Sequence, residues 1–427
     1  MYNVEKLILE NIRCFKGRKE FNIRPLTFLT GENSTGKSTV LGCYQVFNSS
    51  LLSRYPDINF NIEPYNMGAF SDIARTNEKE FKIGFEYKHD KQDKKITQQT
   101  TFIERISGSE PVIKKNEWNF PEAKIISNLK KENNGSYWPM YIGLDSSEIK
   151  IQGKDSRKSY VISSSTILNP ISLYIAMPKN TNELTQWRDF VESEKNFLLD
   201  SYPSHVESFA PIRSKRERTY NPFREMIDPE GNEMPVFLKN ISDNNPKLWK
   251  TIKKELLEFG NSSGLFSDIT VKRYEKTTSG PFQLKFKINK GPEVNMVDVG
   301  YGVSQILPIL VRIFSTSINT TFLLQQPEVH LHPRVQAEIS SLFIESFKRQ
   351  EHKFIIETHS EYMIDRIRIK IMEKQISPDD VSLIFLSPEK GDVKVHNIRF
   401  DEQGNMLDVP DSYKNFFINE QNKLMGI

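Results

Sequence analysis

The chain has 427 residues, a net charge of +3 and 37% hydrophobic residues, the profile of a globular protein with one large domain or two. No apolar run approaches the roughly 20 residues that cross a bilayer, and the opening "MYNVEKLILENIRCF" carries acids where a secretory peptide has an apolar block, so no membrane contact and a cytoplasmic location are expected. The two cysteines, Cys14 and Cys43, have no metal-ligand spacing and predict no disulfide framework, and the small charge excess does not by itself point to nucleic acid.

Strand patterns open the chain: "EKLILENI" is followed by "EFNIRPLTFL", whose end, Leu26 to Thr30, runs directly into a glycine turn. Next, "FKIGFEYK" alternates Phe81, Ile83, Phe85 and Tyr87 on one face, and "KITQQTTFIER" returns after a polar turn, which predicts an antiparallel hairpin. Residues 111–204 turn polar, rich in Lys, Asn and Ser, with no sustained period. They read as an α+β insertion between an N-terminal lobe, 1–110, and a C-terminal lobe, 205–427. Its end, with Leu184, Trp187, Phe190 and Val191 near helical spacing, is expected to be a helix. A helix at "PKLWKTIKKELLEFG" and a strand at "FQLKFKI" come next. Three apolar strands, "TFLL", "KFIIE" and "VSLIFLS", then alternate with helical segments, a βαβ rhythm that predicts a parallel sheet in an α/β fold.

The glycine turn after the third strand, "GENSTGKST", carries the first chemistry. Gly31, Gly36, Lys37 and Ser38 fit the pattern of a phosphate loop, and both structural conditions for one are met, a strand before and a helix-forming "STVLGCYQVF" after. Its glycines let successive N–H groups face inward as an anion nest, and the helix adds the positive end of its dipole. Gly31, Asn33, Ser34, Thr35, Gly36, Lys37, Ser38 and Thr39 are therefore expected to hold ATP. Lys37 would reach the β and γ phosphates and the Ser38 hydroxyl would ligate Mg²⁺.

Four later stretches stand in the order of an ABC-type ATPase head. "VDVGYGVSQILPIL" resembles the signature loop of the OLD-like ABC ATPases of bacteria, "TFLLQQPEVHLHP" their Walker B strand and the loop after it, and "KFIIETHS" their switch strand. "YNMGAFSDIART", "FAPIRSKRERTY" and "RFDEQGNMLDVPDSYKNFF" resemble the subgroup without a nuclease, and too few residues come after His359 for a Toprim domain. The resemblance implies an ABC-type P-loop head of mixed and parallel sheet with flanking helices, working as a homodimer or a higher homo-oligomer. In it Gly302, Ser304 and Gln305 would meet the γ-phosphate bound by the partner subunit, and the switch residue His359 would contact the γ-phosphate or orient the attacking water. Relatives of this kind, including the ATPases of the Septu and PARIS antiphage systems, work beside a separate toxic effector, which implies an effector nuclease or toxin here.

One departure stands out. The Walker B strand of such heads ends in two acids, the first holding Mg²⁺ and the second acting as general base; here those places belong to Gln325 and Gln326. An amide carries no charge and takes no proton at neutral pH, and losing a positioned base costs about 10² to 10⁴ in rate. Three readings are open: Glu328 substitutes as base, Gln326 orients water without deprotonating it, or ATP is a structural ligand of a non-hydrolysing scaffold. A DNA-repair head of the RecF or SMC type is a further alternative. The basic cluster Arg213, Lys215, Arg216 and Arg218, with Tyr220 beside it, reads either as a solvated face or as a nucleic-acid contact.

Overall fold

The computed structural model describes residues 2–52, 58–89, 94–105, 109–151, 205–413 and 423, with short breaks at 122, 129, 133–134, 138–139, 145–146, 212, 214–215, 222–227, 275–279 and 317–318. The helix expected around Leu184 to Val191 lies outside the described residues, as does Lys215.

The chain opens with β1 (Tyr2–Ile12), β2 (Phe15–Asn22), β3 (Leu26–Gly31) and helix α1 (Lys37–Leu52). Two-residue strands β4 (Asn61–Ile62) and β5 (Tyr65–Asn66) and a short α2 (Phe70–Ile73) lead to β6 (Glu80–His89), β7 (Lys95–Glu104) and β8 (Pro111–Asn119). Shorter strands come next: β9 (Ala123–Asn128), β10 (Lys130–Glu132), β11 (Gly135–Tyr137), β12 (Met140–Leu144) and β13 (Ser147–Ile151). After the undescribed stretch come β14 (His205–Phe209), α3 (Met234–Asn244), α4 (Pro246–Ser263), β15 (Asp268–Arg273), β16 (Phe282–Lys287) and β17 (Glu293–Asn295). The last third alternates helix and strand: α5 (Tyr301–Ser315), β18 (Thr320–Gln325), α6 (Pro333–Gln350), β19 (Lys353–Glu357), α7 (Glu361–Met372), β20 (Val381–Glu389), β21 (Asp392–Phe400) and β22 (Met406–Leu407).

Two large sheets result. The first is antiparallel throughout, in the order β13-β12-β9-β8-β7-β6-β1-β2. The expected hairpin is β6 and β7, paired from Glu80↔Ile103 to Lys88↔Lys95, with Phe81, Ile83, Phe85 and Tyr87 all buried. The segment from residue 111, expected to leave this lobe as an insertion, instead extends its sheet: β8 pairs with β7 along its length and β9, β12 and β13 continue the edge. The alternation of β8 is hidden because Asn116 stands on the buried face between Ile113 and Trp118, where its amide oxygen accepts from Gln98 and Thr100.

The second sheet runs β14-β18-β19-β3-β20-β21-β22, parallel from β14 to β20. The phosphate-loop strand β3 sits at its centre, between β19 and β20, so the N-terminal lobe contributes the middle strand of the C-terminal sheet. β3 and β18 are buried along their whole lengths, as strands covered on both faces must be. Period-two alternation then divides the core. Leu29, Leu323, Ile355 and Ile384 join α1 and the first sheet in one cluster with Val40, Phe47 and Phe85, whereas Phe28, Phe322, Phe354, Ile356 and Leu383 join Leu310, Phe343 and Ile364 of the helices on the other side. The layers are therefore antiparallel sheet, α1, central sheet and helices, the α/β fold of mixed and parallel sheet with flanking helices that was expected. No helix among the described residues is long and apolar enough to cross a membrane.

His352, just before β19, has 0% exposure and its Nδ1 accepts the Thr320 N–H at 3.3 Å, with its ring edge-on to Phe322 at 5.2 Å. Burial pushes its imidazole below the ordinary value, so the folded chain holds it neutral while the unfolded chain takes up the proton. A depressed folded pKa contributes stability that is complete above the unfolded value near 6.5 and is lost as pH falls through the folded one. Denaturation midpoints measured from pH 8 to pH 5 are predicted to fall more steeply in the parent than in His352→Asn, by up to one proton's worth, about 1.4 kcal/mol per pH unit; parallel curves would show that His352 does not titrate on unfolding.

Candidate functional site: the phosphate loop and its neighbouring strand ends

The loop begins where β3 ends. Gly31 (φ 141°) and Gly36 (φ 90°) occupy backbone regions that L side chains rarely adopt. A Cβ on Gly31 would lie 2.2 Å from the Leu386 carbonyl oxygen, and one on Gly36 would lie 2.6 Å from Cys14 Sγ and from the Phe15 ring. The loop is thus wedged between β20 and the turn joining β1 to β2, which fixes its curvature. Thr35 Oγ1 donates to the Glu32 carbonyl at 2.8 Å, and α1 starts at Lys37. Lys37 Nζ, nearly buried, donates to the loop's own carbonyls at Gly31 (3.0 Å) and Glu32 (2.7 Å). Burial holds its ammonium below the ordinary lysine value, partly offset by Glu357 and Glu32. A cleft of about 230 Å³ opens here, walled by Arg13, Cys14, Ser34, Gly36, Lys37, Ser38, Thr39 and Glu357. Its polarity comes from the loop N–H groups, the α1 dipole and Lys37, which together suit an anion.

Two groups at this cleft were not singled out from the sequence. Arg13 comes just after β1 with φ 47° and is clamped by three acceptors: Nη1 donates to Thr39 Oγ1 (3.2 Å), Nη2 to the Met67 carbonyl (2.9 Å) and Nε to the Asp72 carbonyl (3.1 Å). Glu357 is the last residue of β19. Parallel register pairs it with Leu29 of β3 on one side and Gln325 of β18 on the other, and its Oε2 accepts the Ser38 hydroxyl at 2.8 Å. It is only 6% exposed. Burial raises its carboxyl above the usual range, against the opposing Ser38 hydrogen bond and Lys37 charge. The signal was legible, because "KFIIE" ends in an acid at the same height as the glutamines of "TFLLQQ".

A second constellation ties the Walker B strand to the signature helix. Arg213 is 2% exposed; its Nη2 donates to the Gln325 carbonyl at 2.7 Å and its Nη1 to the Gln305 carbonyl at 3.4 Å. Gln305 returns both halves of its amide to the Arg213 backbone, at 3.1 and 2.9 Å. Burial pushes the guanidinium down to about 10, with Glu328 opposing. Arg216 donates to the Val297 and Val299 carbonyls at 3.2 and 2.8 Å and stacks 4.6 Å above the Tyr301 ring, and Arg218 forms a two-pronged pair with Asp298.

The model of the AAA ATPase domain family matches residues 3–364. The chain belongs to that family. Solved structures similar to this AAA ATPase domain include an Smc head bound to the C-winged helix domain of ScpA, 14% identical with a TM-score of 0.44, matched over 93% of this chain and 98% of that one. Another is the SMC head domain from Thermotoga maritima, 9% identical with a TM-score of 0.40, matched over 92% and 98%. No curated protein matches it in sequence.

The AAA ATPase brings some expected site residues together and not others. Ser34, Gly36, Lys37, Ser38 and Thr39 line the cleft, Gly31 and Thr35 shape the loop from within, and Asn33 stands exposed at its tip. Gln325 ends β18 nearly buried; Gln326 comes next in the left-handed region (φ 41°), its N–H donating to the Glu357 carbonyl at 2.8 Å. Glu328 does not line the cleft: its Oε1 accepts the His359 N–H at 2.7 Å, and burial raises its carboxyl. The acid fixes the switch turn. His359 itself is exposed, and partial burial followed by the Lys37 charge keeps its imidazole below the ordinary value.

The remaining expected groups are engaged within the chain as follows. Ser304 is 1% exposed, and its hydroxyl donates to the Tyr301 carbonyl at 2.7 Å, because it lies one turn inside α5 rather than at its start. Gln305 is equally buried and spends its amide on Arg213, so both side chains are engaged within this chain. Arg213 and Arg216 donate to backbone carbonyls of the chain, whereas Arg218 stays exposed and pairs with Asp298 at the surface. Tyr220, buried against Phe282 with its hydroxyl on Met296 Sδ, offers no base a stacking face.

Removing the guanidinium in Arg213→Ala strips buried carbonyl oxygens of their donor and is predicted to lower stability by about 2–4 kcal/mol. Denaturant titration checks this; a loss below about 0.5 kcal/mol would mean that the side chain is solvated after all.

Proposed function

We propose that this AAA ATPase works as an ABC-type head that holds ATP with Mg²⁺ in the phosphate-loop cleft, pairs with a second copy across the nucleotide, and controls a separate effector protein in antiphage defence. The nucleotide reading is carried by one observation: Lys37, Ser38 and the N-terminus of α1 converge on a cleft at the carboxyl end of the central strand. Mg²⁺ fits the donor chemistry, since the Ser38 hydroxyl meets a carboxylate there and magnesium takes hard oxygen ligands. When bound, the ion neutralises charge on the β and γ phosphates. Lys37 would exchange its two loop carbonyls for phosphate oxygens, and His359, kept neutral, would offer an imidazole to the γ-phosphate or its water.

Pairing is supported by the exposed start of α5. Tyr301 is 43% exposed and Gly300 is open to solvent, so the N–H groups of this helix end, rather than the Ser304 hydroxyl, are the groups a second copy would present. The effector and the defence role are supported by the resemblance to OLD-like ATPases. Gln326 favours slow or gated hydrolysis, since its amide orients water but removes no proton.

Steady-state turnover and ATP affinity of the parent and Lys37→Ala test this reading. The parent is predicted to bind ATP and turn it over slowly, with Lys37→Ala losing about 10²-fold or more of the affinity. A parent that retains ATP with no turnover would make the protein a nucleotide-held scaffold, and a parent that binds no ATP would refute both.

A further inference from the structure

We propose that Glu357, on the switch strand, is the carboxylate that holds the divalent cation of the phosphate site, taking the part that Gln325 leaves open on the Walker B strand. The inference rests on the nucleotide reading above and adds a ligand to it. Register comes first: Gln325 and Glu357 are paired terminal residues of adjacent parallel strands, so moving an acid from one to the other displaces it by about one strand spacing, 4.8 Å, without changing its height above the sheet.

Geometry comes second. The Ser38 hydroxyl and Glu357 Oε2 lie 2.8 Å apart. Two neighbouring ligands of an octahedral ion with bonds of about 2.1 Å stand about 3.0 Å apart, so this oxygen pair already has nearly the separation that magnesium requires. Glu328 is not a rival, because it does not line the cleft that Ser38 and Glu357 share.

Charge comes third. Among the described residues no cluster of three or more acidic, histidine or cysteine side chains would hold a metal unaided. A cation here therefore needs phosphate oxygens in addition to protein ligands, which is the usual habit of magnesium in nucleotide sites. Glu357 is also a carboxylate kept almost out of water, and a cation bound beside it would offset the cost of burying its charge. A merely structural role, fastening α1 to β19 through Ser38, would make the same hydrogen bond but would not care about the metal.

ATP affinity measured with Mg²⁺ and with EDTA separates the two roles, in the full-length parent, Glu357→Gln and the double variant Gln325→Glu/Glu357→Gln. The parent is predicted to bind ATP at least about tenfold more tightly with Mg²⁺, and Glu357→Gln to lose most of that gain while keeping its EDTA affinity within about twofold. Returning the acid to the Walker B strand in the double variant is predicted to restore part of the gain. Loss of the free Mn²⁺ electron paramagnetic resonance signal, titrated in the presence of ADP, gives a readout independent of ATP affinity and should weaken in Glu357→Gln by a similar factor. Full Mg²⁺ enhancement and unchanged Mn²⁺ uptake in a folded Glu357→Gln would overturn the assignment. Equal loss of affinity with Mg²⁺ and with EDTA would overturn it too, assigning Glu357 to loop structure. A parent that binds ATP in neither condition would remove the nucleotide reading and this assignment together, an outcome distinct from either.

Discussion

Everything at the phosphate site depends on the parallel register of β18, β19 and β3. Because Gln325 pairs with Glu357 and Glu357 with Leu29, β18 and β19 end level with each other and two residues short of the end of β3, and the three outgoing segments emerge at the same edge of the sheet. The phosphate loop leaves β3, the switch turn with His359 leaves β19, and the Gln326 turn leaves β18. Two backbone hydrogen bonds extend the register past the strands: Thr358 N–H to the Leu29 carbonyl at 3.0 Å and Gln326 N–H to the Glu357 carbonyl at 2.8 Å. A slip of one residue would turn Glu357 away from Ser38 and exchange the Ile355 and Phe354/Ile356 rows of β19 between the two core clusters.

A second connection leads from the site to the surface. Arg213 bridges the Gln325 carbonyl on β18 and the Gln305 carbonyl on α5, while Arg216 and Arg218 brace the turn that starts α5. Hydrogen-bonded groups therefore join the end of β18 to the exposed start of α5 without a break. Arg213 and Arg216 of the basic cluster brace this junction from within, and Arg218 braces it from the surface. Desolvation explains the difference: an arginine taken out of water must find acceptors inside the protein, and backbone carbonyls at strand and helix ends are the acceptors left open.

Much of this was legible in the sequence for a physical reason. The phosphate loop is a local motif whose glycines are demanded by close backbone contacts, so Gly31 and Gly36 announce it without any tertiary knowledge. The strands "TFLL", "KFIIE" and "VSLIFLS" were readable because strands buried on both faces must be continuously apolar. The readings that failed depended on long-range partners. The burial of Arg213, Ser304 and Gln305 comes from packing between segments about 90 residues apart (|i−j| = 92 for the Arg213–Gln305 pair), and no local pattern encodes it. Glu357 lay between the two cases: its residue type and strand end were visible, but its importance appears only once β19 is seen beside Gln325.

The central claim is that Ser38 and Glu357 act as one oxygen pair toward the cation. A double-mutant cycle on Ser38→Ala and Glu357→Gln, with the affinity for ATP in Mg²⁺ as the measured quantity, tests it most directly. The account predicts strong non-additivity, with the double variant little weaker than either single one and a coupling of at least about 1 kcal/mol. Effects that add to within about 0.4 kcal/mol would show that the two side chains serve the nucleotide independently, and would contradict it.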